Sequence, residues 1–600
     1  MAIDATARAR VLGVEAQFRD FRSGAVENLP QRVYVVGQGQ TGVTYPSTKF
    51  VAQSANAVGA RFGYKSPLYL TARELLPQNG DGVGTIPVTF CPLSDAVSSA
   101  AAVGGISVSG TLTQASAYRL RAGGVQSDPF ALPKTGIAVD NSFALGAIYD
   151  AIKGVLHFPY TLTFTFGTVT AGALQLNGTA GGTGNGTITA LSVTGNPRPG
   201  VYKLSLKTVV ANGGVWTLYD PTGALVADNL TMTPGVGGVT PFTPGGVNFS
   251  LTDGTTDFGT VGSYFQITVP ATAGVLTSGW KGLSANDLKL EIIGDANGAV
   301  FTITQPTGGL VNPSVQPALD QIGLIWETTV LNCLNIDDTS ALDAISVYGE
   351  GRWGATVMKP FVAFTGCTKP LAGDAVAVSS LRPTDRVNAQ LVSPGSPDLP
   401  CRVAARQLAR IVKLANNNPP TDYGAQRADG LVAGTDQQQW DYPTRDYAMK
   451  NGSSTIEIAD GVVSLSDVIT FYHPTGDADP AYRYVVDIVK LQNIIYNLQL
   501  IFAAQEWAGA PLIPDDQATT NPNARKPKQA KAAVALMLDN LGAAAIISDP
   551  KTAKKNTFAG INSQNPKRLD VTVPVQLSGN TNVKSVDLAF GFFYQAAPTA

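Results

Sequence analysis

The hydrophobic pattern changes period several times along the chain. Near the start, VLGVEAQFRD alternates: Val14, Ala16 and Phe18 fall on one face, and Glu15, Gln17 and Arg19 on the other. That is the period-2 signature of a half-buried strand. It stands alone before a Gly/Asn/Pro breaker at 24–30, so it needs a pairing partner, a second chain being one candidate. Residues 32–90 then read strand, helix, strand, as RVYVVGQ, SPLYLTARELL and IPVTFCPL. The alternation returns from 320 to 455, with strands at IWETTVLN and MKPFVAF and helices at 340–348 and 401–415. Strand–helix alternation on both sides of a long gap predicts an α/β core split by an insertion.

The insertion has two textures. Residues 101–160 pair a β segment, GGISVSGTLTQASAYRLRAGGV, with an amphipathic helix, FALGAIYDAIKGVL, and residues 281–312 return to that texture with DLKLEIIG and AVFTIT. Between them, residues 161–280 hold 22 Gly and seven charges: Arg198, Lys203, Lys207, Asp220, Asp228, Asp253 and Asp257. Short alternating runs (VYKLSLKTV, VWTLYD, SYFQITV) are separated by the turn signals DPTG, TPGG and LTDG, which predicts a β-sandwich.

The end of the chain forms a further unit. STIEIADGVVSLSDVITFY alternates like a hairpin. A helix at 481–507 keeps Val485, Ile488, Val489, Leu491, Ile495, Leu498 and Ile501 at a 3.6 period. A second helix follows at 527–543. In the closing VKSVDLAFGFFY, the residues Val586, Leu588, Phe590 and Phe592 share a face, so both ends of the chain read as isolated strand-like arms.

The expected fold class is therefore mixed α+β and multidomain. A split α/β core spans 23–100 and 313–455. A small α+β insertion spans 101–160 and 281–312 and carries a sandwich-like all-β module at 161–280. An α+β C-terminal domain spans 456–583, with extended arms at 1–22 and 584–600.

Composition narrows the function. The 600 residues hold 14% charged side chains, two His and four Cys, with a formal net charge of −2. Bulk electrostatics of that size hold neither nucleic acid nor a membrane surface. The start, MAIDATARARVLG, has no apolar h-region, which argues against a secretory signal. No run of about 18 apolar residues points to a spanning helix. The richest stretch, 491–504, is broken by Gln492, Asn493, Asn497 and Gln499. Cys91, Cys333, Cys367 and Cys401 lack zinc-site spacing and read as buried free thiols.

Candidate chemistry is sparse. His157 and His473 have no Ser or Cys partner by motif, and no G-x-S-x-G is present. GGTGNG at 181–186 lacks a Walker lysine and is a loop. In DDTSALD (337–343) the acids read as a helix start rather than a calcium site. No catalytic, metal or cofactor residues are expected. One charge cluster stands out: Arg525, Lys526, Lys528 and Lys531 open the 527–543 helix, where cations oppose the helix dipole. A solvated basic face and a docking patch for an acidic partner both fit it.

At this point the sequence resembles contractile-tail sheath proteins, especially the Mu-like branch. The segment GSSTIEIADGVVSLSDVITFYHPTGDADPAYRYVVDIVKLQNIIYNL is similar to that family's hairpin, acidic loop and long helix. Gly452, Gly461, Ile469, Thr470, Tyr472, Asp479 and Tyr482 stand at the matching places. The family's usual Arg before the I-T pair is replaced, with Asp467 nearby. CRVAARQLARIVKLANNNPP resembles the family's Ala-rich helix, 522–594 its closing helix and strands, and VLGVEAQFRD its N-terminal arm. The resemblance covers about 1–160 and 281–600.

What it implies is mechanical. Subunits would stack as six-fold rings around a tail tube, each subunit's arms completing a sheet on a neighbour by β-augmentation. The expected arm residues are Val14, Ala16 and Phe18 at the N-terminus and Val586, Leu588, Phe590 and Phe592 at the C-terminus. Arg525, Lys526, Lys528 and Lys531 would face the tube. Partners would be neighbouring sheath subunits and the tail tube, baseplate and tail terminator proteins, without direct nucleic-acid contact or membrane insertion. The chain would be a non-enzymatic virion tail component assembled in the host bacterial cytoplasm, and its contraction would deliver a genome. The alternative is a tail surface or fibre protein whose β-module binds host carbohydrate. A degrading site there would need a carboxylate pair, and the module offers four Asp and no Glu.

Overall fold

The computed structural model describes residues 27–600 apart from 79, 178–183, 234, 236, 255–257, 476–480, 582–587 and 589–600. The chain divides into two compact units. Among the described residues, one gathers 27–30, 414–423 and those from 484 onward; the other holds those of 31–413 and 424–483.

The larger unit is built on a six-stranded sheet. Its order is Phe50–Ala52, Val88–Leu93, Val33–Gln38, Thr329–Asn332, Val362–Cys367, Asn388–Val392. The last five strands are parallel, and Phe50–Ala52 runs antiparallel at the edge. Numbered along the chain, the parallel strands lie 2-1-3-4-5, the order of a doubly wound sheet. Every residue of all five is buried, which is why VYVVGQ, VTFCPL, TVLN, VAFTGC and NAQLV do not alternate in burial. The helices start where their caps allow. Ser66 accepts from Tyr69 N at 3.1 Å with Pro67 in the first turn, and Asp338 accepts from Ala341 N at 3.1 Å. DDTSALD is thus a capped helix start, running as Thr339–Trp353. Tyr34, Val330, Ile345, Phe361 and Ala363 join a core on one face, each large side chain contributing roughly 1.5–3 kcal/mol.

The insertion leaves after Leu93 and returns before Thr329. Ala299–Thr307, Ala101–Gly110, Ala271–Lys281 and Tyr160–Phe166 form an antiparallel sheet in that order, with helix Asn141–Lys153 packed on it. Ser116–Ala122 pairs separately with Leu290–Ile293, Val125–Gln126 and Phe130–Leu132.

Two boundaries differ from the sequence reading. Most of Tyr160–Phe166 and of Ala271–Lys281 falls inside 161–280, but both strands belong to the insertion sheet. Alternation in YTLTFTF reports a half-buried strand without naming its partner. The remaining module holds a five-stranded and a three-stranded sheet that share a core around Trp216, whose ring meets Phe258 edge-on at 5.0 Å. Phe166 lies opposite Ala271, and Gly167 N donates to Pro270 O at 2.9 Å, so the chain enters and leaves the module through one strand pair. Asn196 of the module also donates to Leu162 O and accepts from Phe164 N, both at 3.0 Å, and Arg198 pairs with Asp150 of helix Asn141–Lys153 at 2.9 Å. The second difference concerns the hairpin Ile456–Ala459/Val462–Leu465, expected in the 456–583 domain. It belongs to the larger unit, where Phe471 N donates to Asn388 O at 2.8 Å on the edge of the central sheet. Asp467 accepts from Thr455 Oγ1 at 2.8 Å and Ser466 Oγ at 3.0 Å.

The smaller unit packs helix Val485–Ala503 with Pro527–Ala543 and Pro550–Asn556 and the hairpin Phe558–Ile561/Leu569–Thr572. Ile494, Ile501, Val534, Leu538, Leu541 and Ile546 form its core. Val485–Ala503 is long and apolar enough by composition to cross a membrane, but more than half of it is buried inside the protein.

Candidate assembly surfaces

In open α/β sheets, ligands bind beyond the C-terminal strand ends where the strand order reverses. That point lies here between Val33–Gln38 and Thr329–Asn332, and the insertion fills it. Gln38, 1% exposed, donates from Nε2 to Lys281 O at 2.6 Å and accepts from Ser284 Oγ at 3.3 Å. Trp280 Nε1 donates to Ser284 Oγ at 3.1 Å. Asn312 accepts from Ser284 N at 3.2 Å and donates to Asn335 Oδ1 at 3.1 Å and Asp338 Oδ2 at 2.9 Å. Gly282 makes the approach possible at φ +114, because a Cβ there would stand 2.6 Å from Asn312 Oδ1.

The charged groups nearby neutralise one another. Arg402 donates from Nη2 to Glu74 Oε1 at 2.6 Å, from Nη1 to Gly123 O at 3.0 Å, and pairs with Asp398 at 3.4 Å. Burial raises the Asp398 carboxyl, while Arg402 and the Val432 amide pull it down. Gly124 runs past this cluster at φ +81, where a Cβ would meet Asp398 Oδ1. A groove of about 700 Å³ opens beside Glu350, Arg386, Tyr472 and Tyr482. Both its arginines are paired: Arg382 with Asp343 at 2.6 Å and Asp385 at 3.7 Å, while Arg386 grips Glu350 through two bonds of 3.0 and 2.7 Å and lies 4.7 Å from the rings of both Trp353 and Tyr482.

The histidines hold structural places. Burial beside Arg73 and Arg402 pushes His157 down to about 4, and His473 Nδ1 lies 2.5 Å from Phe471 O. Among the described residues no three His, Cys, Asp or Glu side chains are placed to hold a metal. All four cysteines are free and buried. Asp253, in the β-module, is 3% exposed, and Asp257 lies outside the described residues.

The basic helix start is arranged differently from a simple patch. Arg525 turns inward, pairing with Glu506 at 3.5 Å and donating to Pro522 O at 3.0 Å. The Lys526 ammonium donates to Gln517 O, and its backbone N–H is taken by Gln529 Oε1 at 2.9 Å. Asp515 Oδ1 accepts from Lys528 N at 2.9 Å, and Asp515 O accepts from Lys528 Nζ at 3.3 Å. A carboxylate thirteen residues upstream thus supplies the negative charge that the helix N-terminus lacks in sequence. Lys528 and Lys531 remain exposed. Nothing local in the sequence ties Asp515 to this role, because the loop between them sets the contact.

Of the arm residues, Val14, Ala16, Phe18, Val586, Phe590 and Phe592 lie outside the described residues. Leu588 is described, belongs to no strand and is 78% exposed. The smaller unit nevertheless shows an unfinished sheet. Phe558–Ile561 and Leu569–Thr572 pair with each other, and among the described residues neither has a second partner strand. Phe558 is 60% exposed. Each outer edge presents backbone donors and acceptors that another strand can take.

No family model matches the chain. A sequence relative does: the Mu-like prophage FluMu tail sheath protein of Haemophilus influenzae, 24% identical over 321 residues. This chain is similar to a Mu-like tail sheath protein. The match covers 51% of this chain and 63% of the FluMu sheath protein, so it spans less than two thirds of that relative. Two solved structures of sheath tail proteins, from Listeria innocua and Desulfitobacterium hafniense, align over 93% and 94% of this chain and 96% and 100% of theirs. Their TM-scores are 0.41 and 0.39, at 10% and 11% identity.

Proposed function

We propose that this chain is a tail sheath subunit of a contractile phage or phage-like injection machine. It polymerises as stacked six-fold rings around a tail tube and contracts to drive the tube through a host envelope. The observation that carries the reading is the hairpin Phe558–Ile561/Leu569–Thr572, which has no third strand among the described residues, in a chain similar to a tail sheath protein. Arms carrying Val14, Ala16 and Phe18 and Val586, Leu588, Phe590 and Phe592 are the strands that complete it on a neighbour. The role is structural, in the virion tail, with the β-module peripheral to the lattice. Baseplate and tail terminator proteins bound the polymer at its ends. Lys528 and Lys531, the exposed members of the basic start, face the tail tube, while Arg525 and Lys526 brace the loop behind them.

The test is self-assembly of the purified full chain followed by electron microscopy. Striated hollow tubes are the expected product. A chain that stays monomeric under all assembly conditions, alone and with tail tubes added, overturns the reading. Lys528→Glu with Lys531→Glu is expected to lower tube-templated assembly, and an unchanged yield of sheathed tubes removes the tube-facing assignment.

A further inference from the structure

The apolar helix Val485–Ala503 carries a polar stripe. Lys490, Asn493 and Asn497 stand at i, i+3 and i+7, which places them along one side. All three are fully buried at 0% exposure. A buried ammonium and two buried amides are costly unless their hydrogen bonds are met. They are met partly within the helix, where Asn493 and Asn497 donate to Val489 O and Asn493 O at 2.8 Å, and partly by residues at the roots of the two terminal segments.

At the N-terminal root, Asn493 Oδ1 accepts from Leu29 N at 2.8 Å. Asn497 Oδ1 accepts from Glu27 N at 3.2 Å, and its Nδ2 donates to Glu27 O at 3.0 Å. That two-way pairing of an amide with one residue's N–H and C=O imitates a strand partner. At the C-terminal root, Lys490 Nζ donates to Ser578 O at 2.6 Å and Asn580 Oδ1 at 2.7 Å, with Asp487 at 2.9 Å balancing its charge. Asn580 Nδ2 in turn donates to Pro420 O at 2.8 Å.

We infer that Val485–Ala503 is a common anchor for both terminal segments. Lys490, Asn493 and Asn497 act as positioning residues that fix where each segment leaves the subunit. A pull on either segment is then resisted by buried hydrogen bonds to one helix, before it reaches the helix-and-hairpin core around Leu538. The anchoring stands on the geometry alone; its value for assembly rests on the proposed sheath role.

Hydrogen–deuterium exchange of the full chain reads the anchoring directly. Asn493→Leu combined with Asn497→Leu is expected to speed exchange at the Glu27 and Leu29 amides by about tenfold or more, the size expected when a buried hydrogen bond is lost. Protection in Pro527–Ala543 stays unchanged. Lys490→Met is expected to loosen 577–581 in the same way, with partial rescue by Lys490→Arg. Asn580→Ala, which leaves the helix untouched, is the second variant should Lys490→Met fail to fold. Unchanged exchange at both roots overturns the anchor. Tube formation supplies the second readout: loosened roots with assembly intact overturn the positioning role. A wild-type chain that forms no tubes sinks the sheath reading instead, and the exchange result still decides the anchor.

Discussion

The central sheet and the Phe558–Ile561/Leu569–Thr572 hairpin obey the same pairing rules and end in opposite states. The central sheet is finished. Its parallel strands are buried, and its ligand crevice is filled by Trp280, Ser284 and Asn312. The hairpin is two strands wide, with a large aromatic side chain, Phe558, left in solvent. A two-stranded sheet is marginal alone. The difference lies in where partners come from: the first region has its strands within its own chain, and under the proposed sheath role the second takes them from other copies.

The largest effect that sharpens this contrast is removal of the arms. Deleting 1–22 or 584–600 is expected to abolish tubes while leaving a folded monomer with unchanged melting of the larger unit. Tubes from the truncated chain would show that the hairpin is completed some other way. Next comes the reverse experiment on the finished region. Arg402→Met leaves Glu74 and Asp398 without their shared cation and is expected to cost about 3–5 kcal/mol of stability, measured by denaturant unfolding. Loss below about 1 kcal/mol would mean water reaches that cluster.

Trp216→Ala is expected to cost roughly 3–5 kcal/mol within the β-module alone, because an indole at the centre of its core is removed. Near-ultraviolet circular dichroism should lose the module's signal while tubes still form. Loss of assembly would place the module inside the lattice rather than beside it. Asp515→Asn is smaller, about 0.5–1 kcal/mol, since it weakens one charged cap on Lys528 N. A further effect is one of pH. His157 has its pKa lowered from 6.5 to about 4, so the unfolded chain takes up the proton first. Its contribution is complete above about pH 6.5 and drains as pH falls towards 4. His157→Gln should flatten the slope of melting temperature between pH 6.5 and 5 relative to wild type; identical slopes would show that His157 does not contribute.

Much of the finished region was legible because its signals are local. VYVVGQ and VTFCPL are apolar enough to be buried strands wherever they sit. In the smaller unit the expected helix at 527–543 runs over those residues, with Pro527 in its first turn. Asn388–Val392 was not legible: Asn388 and Gln390 look like surface residues, yet both are buried. Their side chains are held by Leu342 O at 2.9 Å and Ser453 Oγ at 2.5 Å, contacts that span long stretches of sequence. The polar interruptions of 491–504 were visible, but their meaning was not. Asn493 and Asn497 break the apolar run because backbone from residues 27–29 lies against them. Asp515 escaped for the same reason, its partner being set by a loop rather than by spacing.

The β-module's way in and way out stand side by side. Phe166 faces Ala271 across one antiparallel pair, about 5 Å apart. To the sheet that carries it, the entire module occupies the place of a tight turn. Its size and fold do not enter the register of Tyr160–Phe166 with Ala271–Lys281. A replacement domain spliced at that address would need only a closely spaced pair of ends, plus substitutes for Asn196 on Leu162 O and Phe164 N and for Arg198 on Asp150.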